Sequence, residues 1–406
     1  MARLLTRILL LLVCAFAALS SSAAAAIGIE EERILLFSGC LLVLLLVPFL
    51  VRPTLSQPSG PVVLLILLLL WMLLADAAQG QFNLLDARIA LPPLVLLATP
   101  NLARHFTAEA LMRLVWRLLS TYVALTFAYQ LLAEPAVVAH GYDGIVRYDP
   151  TGSVIMHSSL SLIYFLVAAT RLAQPLAPGE KLTTAALAGM ALVMVLMTAT
   201  RTALVTGGLF ALLLLLASPE PVRMARTLAL AGLGLLLAFL AWTLLVSDSF
   251  WLRLSGGQED FTSGRWSSIR YWLGLAAQHP FGLGLGAVRS MLADGRPALD
   301  GAELLEWPHN EPVRFYLEAG PPGPLFVLLL VGLLVRRAVR AARIEADPVR
   351  RTLMLAIAAD LVAECFLQNL LNAIYHATIL ILVLALTVAT TEPAREPGQA
   401  PAPVPC

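Results

Sequence analysis

Charged residues are scarce in this sequence. Asp, Glu, Lys and Arg make up 13% of the 406 residues, whereas hydrophobic residues make up 59%. An ordinary soluble core cannot enclose so large an apolar share, so the composition excludes an ordinary soluble globular protein. Apolar runs close to the roughly 20 residues that cross a bilayer core recur along most of the chain. The sequence therefore predicts a protein embedded in a membrane.

Cysteine is also rare, and several motifs are missing. The chain has four widely spread cysteines without metal-type spacing, which argues against a disulfide framework or a zinc site: Cys14, Cys40, Cys365 and Cys406. No phosphate-binding P-loop is present and the predicted cytoplasmic connections are short, so ATP-driven pumps are excluded. The long segment 247–320 has no paired-Asp motif, and its only adjacent acidic residues are Glu259 and Asp260.

The hydrophobic pattern predicts an all-α polytopic membrane protein with about 12 transmembrane helices. The fourth span is short and contains Pro92 and Pro93, which indicates a re-entrant or broken helix. The predicted spans are 5–22, 34–51, 61–78, 89–100, 114–132, 154–170, 183–200, 202–217, 228–246, 321–335, 353–369 and 372–389. They divide the chain into helices 1–6 (1–182), helices 7–9 (183–246), one large outer loop with short amphipathic helices (247–320), helices 10–12 (321–389) and a disordered tail (390–406).

The distribution of Lys and Arg predicts the orientation. Seventeen of them fall on one set of alternate connections, and only four fall on the short connections of the other set: Arg33, Arg88, Arg147 and Arg201. Positive charge is retained in the cytoplasm, so both termini are predicted to be cytoplasmic and the loop 247–320 to lie outside. Residues 1–26 also fit a cleavable signal, which would leave the remaining topology unchanged.

Two arginines are candidate anion ligands. Arg201, in MTATRTALV, lies at the outer end of the seventh predicted helix, and Arg265, in TSGRWSSIR, begins an amphipathic stretch. A guanidinium at headgroup depth, or at a helix start, can bind phosphate oxygens. The ordinary alternatives are a snorkelling or capping arginine for Arg201 and a solvated one for Arg265. Arg270, five residues later, fits an exposed face.

The segment WPHNEPVRFYLEAGPPG contains a candidate general base. His309 and Asn310 lie at a Pro-bounded turn before a short helix that is predicted to end near Glu318 and Gly320. Histidine is the side chain best suited to exchange a proton near neutral pH, although a lone loop histidine is usually structural. The glycine-rich HPFGLGLG follows no strand, so it indicates a tight turn rather than a phosphate loop.

Polar residues recur inside one predicted membrane helix. Asp360, Glu364 and Gln368 have four-residue spacing, which places them on one face directed into the bundle. Packing against arginines or polar helices is one explanation, and a proton or ion pathway is the other.

The three outer motifs together resemble the O-antigen ligase and O-antigen polymerase superfamily of bacterial envelope glycosyltransferases. MTATRTAL, TSGRW with HPFGLGLG, and WPHNEPVRFYLEAGPPG occur in the order of that family, and the resemblance covers about residues 185–335. It implies transfer of a glycan from undecaprenyl pyrophosphate to an acceptor at the periplasmic face of the inner membrane of a Gram-negative bacterium. In the ligase the acceptor is the lipid A-core oligosaccharide.

The resemblance also implies roles for the candidate residues. Arg201 and Arg265 are expected to hold the pyrophosphate in place of a metal ion, and His309 to act as general base or to orient the acceptor hydroxyl. We expect an inverting enzyme without a cofactor, whose partners are the two glycolipids and membrane lipids but not nucleic acid. Further contacts to donor, acceptor or the catalytic residues are expected from Asn310, Glu306, Glu311, Arg147, Tyr148, Asp149 and His157.

Other functions stay open at this point. A polymerase of the same superfamily would use a second undecaprenyl-linked glycan as acceptor, and a protein O-oligosaccharyltransferase would use a Ser or Thr hydroxyl. A secondary transporter or a flippase for lipid-linked sugars is favoured by Asp360 and Glu364, but it is disfavoured by the large loop with its arginines and histidine.

Overall fold

The structure is a computed structural model, and it describes most of the helical parts of the chain. The described residues are 2–19, 24, 27–29, 32–51, 59–80, 86–103, 107–133, 139–142, 145–148, 154–172, 175–198, 200, 206–207, 209–210, 222, 265–293, 307–368, 370–371 and 374–391. The predicted helices at 202–217 and 228–246 fall almost entirely outside them, as does the tail beyond Thr391.

The described chain is predominantly helical. Its helices are α1 (Ala2–Ala18), α2 (Arg33–Val51), α3 (Gly60–Ala78), α4 (Leu91–Ala103), α5 (Ala108–Leu132), α6 (Val154–Leu172), α7 (Pro178–Met197), α8 (Arg265–Gln278), α9 (Ala287–Ala293), α10 (Glu311–Ala319), α11 (Pro322–Ile344), α12 (Pro348–Leu367) and α13 (Ile374–Thr391). The predicted spans that lie within the described residues are helical, which confirms a helical protein. By length and composition, α3 and α7 are apolar enough to cross a membrane, and the number of twelve spans stays a prediction.

Proline sets the start of several helices. α7, α11 and α12 begin at Pro178, Pro322 and Pro348, and α3 has Pro61 in its first turn. Proline suits these positions because its missing N–H would have no partner inside the helix. Asp347 precedes α12 and accepts the Val349 N–H at 2.8 Å, which caps the helix.

Two features differ from a set of full-length transmembrane helices, and the sequence predicted the first of them. α4 is only 13 residues long and follows a 3-10 turn at Asp86–Ala90, so at about 1.5 Å per residue it covers less than a bilayer core. This agrees with a short or broken fourth helix. In addition, β1 (Ala139–Tyr142) pairs antiparallel with β2 (Ile145–Tyr148), and this hairpin was not predicted.

One apolar core joins most of the long helices. α6 packs on α7 and α12, α4 packs on α2 and α13, and α11 packs on α3, α10 and α12. The outward side of α3 is apolar as well, with Leu67, Trp71 and Leu74 more than half exposed. A large exposed apolar face on a long helix is what contact with lipid requires, so the fold has the character of a membrane protein.

The described part of the predicted outer loop forms a small unit of α8, α9 and α10. Trp272, Ala276, Val288 and Leu317 make its own apolar core. The turn 279–286 between α8 and α9 is bound to the end of α10, since the N–H groups of Leu283 and Gly284 donate to the carbonyls of Leu317 and Glu318 at 2.8 and 2.9 Å. The glycine-rich segment is therefore a turn, as predicted. It is also bound to the bundle, because the Leu285 N–H donates to the buried Asp76 carboxylate of α3 at 2.9 Å.

Candidate active site

The structure describes only part of the predicted phosphate-binding pair. Arg265 is the first residue of α8, which confirms that it begins a helix, but its side chain is not described. Arg201 and Glu306 lie outside the described residues, as does Asp149. Arg147 and Tyr148 belong to β2, where Arg147 pairs with His140 in the register of the hairpin, and their side chains are likewise not described. Their proposed contacts stay predictions.

His309 has an unusual backbone conformation. Its φ is 45°, and it is the one non-glycine residue with positive φ among the described residues. A side chain beyond glycine is disfavoured there by contact of Cβ with the backbone, and such conformations concentrate at functional sites. The turn is fixed by its neighbours, since Pro308 is buried and Asn310 caps α10 by accepting the Val313 N–H at 3.1 Å.

The side chains of the turn bind the end of α12. The His309 Nδ1 lies 3.2 Å from the Gln368 Oε1, and the Asn310 side-chain amide donates to the Phe366 carbonyl at 3.3 Å. With the amide oxygen of Gln368 assigned as acceptor, Nδ1 carries the imidazole proton. Nε2 then carries no proton. An unprotonated ring nitrogen is what a histidine general base requires.

Glu311 also holds the turn at 309–311 in place. It is fully buried, its Oε1 accepts the Leu371 N–H at 2.6 Å, and its Oε2 lies 2.9 Å from the Arg314 guanidinium. Three consecutive residues, 309–311, thus each bind the region 366–371. Both Glu311 oxygens are engaged within the protein, so its contribution is to hold the turn rather than to contact substrate.

His157 lies inside the bundle rather than at an exposed outer connection. Its side chain is fully buried. Its Nδ1 lies 3.2 Å from the Tyr122 hydroxyl, which also lies 3.2 Å from the His376 Nε2. The tyrosine can donate to one imidazole and accept from the other, so these three residues link α5, α6 and α13.

The polar face of α12 is buried, as predicted. Asp360, Glu364 and Gln368 are at most 2% exposed. The Ser159 hydroxyl of α6 donates to Glu364 at 3.0 Å, which agrees with packing against a polar helix. The Ser159 hydroxyl also lies beside the Asp360 carboxylate.

A cleft that Trp307 lines was not predicted. It is lined by Ile89, Leu285, Gly286, Trp307, Phe315, Glu318 and Leu371 together with three arginines, Arg88, Arg289 and Arg314. The role of Gln368 as the partner of His309 was also missed. One sequence feature could have indicated the cleft. Arg88 is among the few positive residues predicted to lie outside, although positive residues are usually retained in cytoplasmic connections.

Comparison with known proteins agrees with the outer motifs. Residues 186–329, about a third of the chain, match the family model described as O-antigen ligase. The matched region contains Arg201, Arg265 and His309. No curated protein matches the chain. The match confirms the resemblance to the O-antigen ligase and polymerase superfamily, and it does not distinguish ligase from polymerase.

Proposed function

We propose that this chain, whose residues 186–329 belong to the O-antigen ligase and polymerase superfamily, is an O-antigen ligase. It transfers a glycan from undecaprenyl pyrophosphate to the lipid A-core oligosaccharide at the periplasmic face of the bacterial inner membrane. The observation that carries the proposal is the bond between His309 and Gln368 at 3.2 Å, within a turn of unfavourable backbone conformation. It supports a positioned general base within the matched region.

His309 acts on the acceptor. Its Nε2 takes the proton of the acceptor hydroxyl while that oxygen forms a bond to the anomeric carbon of the donor sugar. The bond between the anomeric carbon and the diphosphate oxygen breaks, and undecaprenyl pyrophosphate leaves with both electrons of that bond. One direct displacement inverts the anomeric centre.

Arg201 and Arg265 act on the leaving group. Negative charge grows on the diphosphate as the bond breaks, and two guanidinium groups can each offer a pair of charge-assisted hydrogen bonds to its oxygens. The start of α8 adds backbone N–H groups next to Arg265. These donors take the part that a carboxylate-bound divalent cation plays in other glycosyltransferases, since the outer loop has no paired-Asp motif.

The test is a transfer assay with purified full-length protein in detergent with EDTA. The substrates are undecaprenyl-pyrophosphate-linked glycan and core lipopolysaccharide. We expect transfer by the wild type and a loss on the order of 100-fold in Arg201→Ala, Arg265→Ala and His309→Ala. Transfer that requires added divalent cation would contradict the metal-independent mechanism.

Two other outcomes of this assay identify the alternatives. Extension of the donor glycan without lipopolysaccharide identifies a polymerase, and transfer to a Ser- or Thr-containing protein identifies a protein O-oligosaccharyltransferase. No transfer in any pairing would overturn the glycosyltransferase assignment, and it would favour transport through the α12 carboxylates.

A further inference from the structure

One exposed face of α11 changes from apolar to positively charged along the helix. In its first half, Leu325 and Leu328 are 58% and 45% exposed. Its second half exposes three arginines, which we call the arginine stripe: Arg336, Arg340 and Arg343. At 3.6 residues per turn, all five side chains lie within about 60° on either side of one line along the helix. The leucines and the arginine stripe therefore share one face.

The arginine stripe has no counter-charge within the part of the chain that the structure describes. None of its three guanidinium groups forms an ion pair or a hydrogen bond there. The two acidic residues that follow α11 are engaged elsewhere. The Glu345 carboxylate lies 3.0 Å from the Arg350 guanidinium, and the Asp347 carboxylate caps α12. The described residues around the end of α11 thus leave the three charges of the arginine stripe unbalanced.

This arrangement is unfavourable for an isolated helix. The three arginines follow each other at spacings of four and three residues, at which like charges repel across a helix surface. Only Arg343 lies in the last turn of α11, where the helix dipole favours a cation. The dipole therefore does not account for Arg336 and Arg340. An anion bound from outside the chain would relieve the repulsion.

The position of the arginine stripe suits a lipid headgroup. The predicted span 321–335 lies in the first part of α11, and the predicted orientation places the end of this helix in the cytoplasm. At about 1.5 Å per residue, Arg336 lies roughly 16 Å beyond Leu325 along the helix axis, a distance close to half of a bilayer core of about 30 Å. The exposed leucines are then at the depth of acyl chains, and the long arginine side chains extend to the headgroups.

We infer that the arginine stripe binds the phosphate group of an anionic phospholipid, whose acyl chains lie along the exposed leucines of the same face. A guanidinium binds phosphate oxygens through paired charge-assisted hydrogen bonds, and positive residues beside a membrane attract anionic lipids. A free phosphate would neutralise the arginines but leave Leu325 and Leu328 uncovered. A zwitterionic phospholipid brings a cation of its own. This binding site goes beyond the proposed transfer reaction and does not depend on it.

Thermal stability tests the inference, because a ligand that binds the folded protein raises its Tm. Full-length protein in a non-ionic detergent is titrated with phosphatidylglycerol, phosphatidylcholine or inorganic phosphate. We expect phosphatidylglycerol to raise the Tm of the wild type, and the other two to change it little. The double variant Arg336→Gln/Arg340→Gln should bind phosphatidylglycerol more weakly, by about fivefold or more for each arginine removed. Without lipid, its Tm should equal or exceed that of the wild type because the like-charge repulsion is smaller.

The matched control is the double variant Arg113→Gln/Arg117→Gln of α5. These two arginines are also exposed, four residues apart and on the predicted cytoplasmic side, but Arg113 has a counter-charge in Glu109 at 3.2 Å. We expect phosphatidylglycerol to raise the Tm of this variant as it does that of the wild type. An equal loss of the effect in both double variants would show a dependence on total charge alone, and it would overturn the inference.

Two further outcomes would overturn the inference. An equal rise of the Tm with inorganic phosphate and with phosphatidylglycerol would identify a site for free anions rather than for a lipid. No rise with any of the three would exclude the lipid, and it would leave the acidic residues of the tail, Glu392 and Glu396, as the candidate counter-charge. Since the Tm is measured without glycan substrates, a failure of the proposed transfer reaction would leave this result unaffected.

Discussion

His309 and Gln368 form a hydrogen bond of 3.2 Å between Nδ1 and Oε1, across 59 residues of sequence. With the glutamine oxygen as acceptor, Nδ1 carries the imidazole proton and Nε2 carries none, as the proposed general base requires. We expect Gln368→Leu to lower the rate of transfer about tenfold or more with little change in the KM of either substrate. Gln368→Glu retains an acceptor oxygen for Nδ1, so its transfer rate should stay closer to that of the wild type. Steady-state rates check both variants, and a normal rate in Gln368→Leu would contradict a role for the contact.

Asn310 has two separable contacts. Its side-chain oxygen caps α10, and its amide donates to the Phe366 carbonyl at 3.3 Å. Asn310→Asp retains the cap but not the donor, so we expect near-normal thermal stability with slower transfer. Asn310→Ala removes both contacts and should also cost about 1 kcal/mol of stability. Equal transfer rates in Asn310→Asp and wild type would show that the bond to Phe366 does not position His309.

Glu311 is expected to matter for stability. It binds Arg314 and the Leu371 N–H while fully buried, and removal of one partner of a buried ion pair leaves the other charge unpaired. Glu311→Gln should therefore destabilise the protein by about 3 kcal/mol, measured as a lower Tm in detergent. Glu109→Gln, which removes an exposed ion pair with Arg113, is the control and should leave the Tm unchanged. Equal Tm values for the two variants would count against the structural role of Glu311.

Much of the fold follows from local sequence signals. Apolar runs predict the long helices, and the WPHNEP segment predicts a Pro-bounded turn before the short helix α10. The four-residue spacing of Asp360, Glu364 and Gln368 predicts their burial correctly. These signals act within a few residues of each other, where helical periodicity and capping chemistry apply.

The contacts that define the candidate site are long-range, and sequence periodicity carries no information about them. No residue near Gln368 in the sequence indicates that it binds His309. No residue near Arg88 indicates that it lines the same cleft as Arg289. The hairpin at 139–148 was missed because its residues AHGYDGIVRY show no sustained alternation of apolar and polar positions. His157 was expected near substrate because it follows an outer connection, but it lies at a position of α6 that faces the bundle.

Asp360 is a buried carboxylate whose role in transfer can be tested. It is fully buried, and the Ser159 hydroxyl lies beside it. Replacement of such a carboxylate by a neutral amide relieves the cost of burying a charge, so Asp360→Asn should keep glycan transfer and should have an equal or higher Tm. Loss of transfer in a variant with an unchanged Tm would instead show that the Asp360 carboxylate is needed for transfer.

The most direct test of the central claim compares two histidines of the outer loop. His309→Ala and His279→Ala are assayed for single-turnover transfer from undecaprenyl-pyrophosphate-linked glycan to core lipopolysaccharide, each after its Tm has been compared with that of the wild type. His279 lies in the turn after α8, and it is not part of the proposed base. We predict a loss of about 100-fold or more for His309→Ala, the lower end of the range for a general base, and a normal rate for His279→Ala. A folded His309→Ala variant that transfers glycan at the wild-type rate would contradict the account.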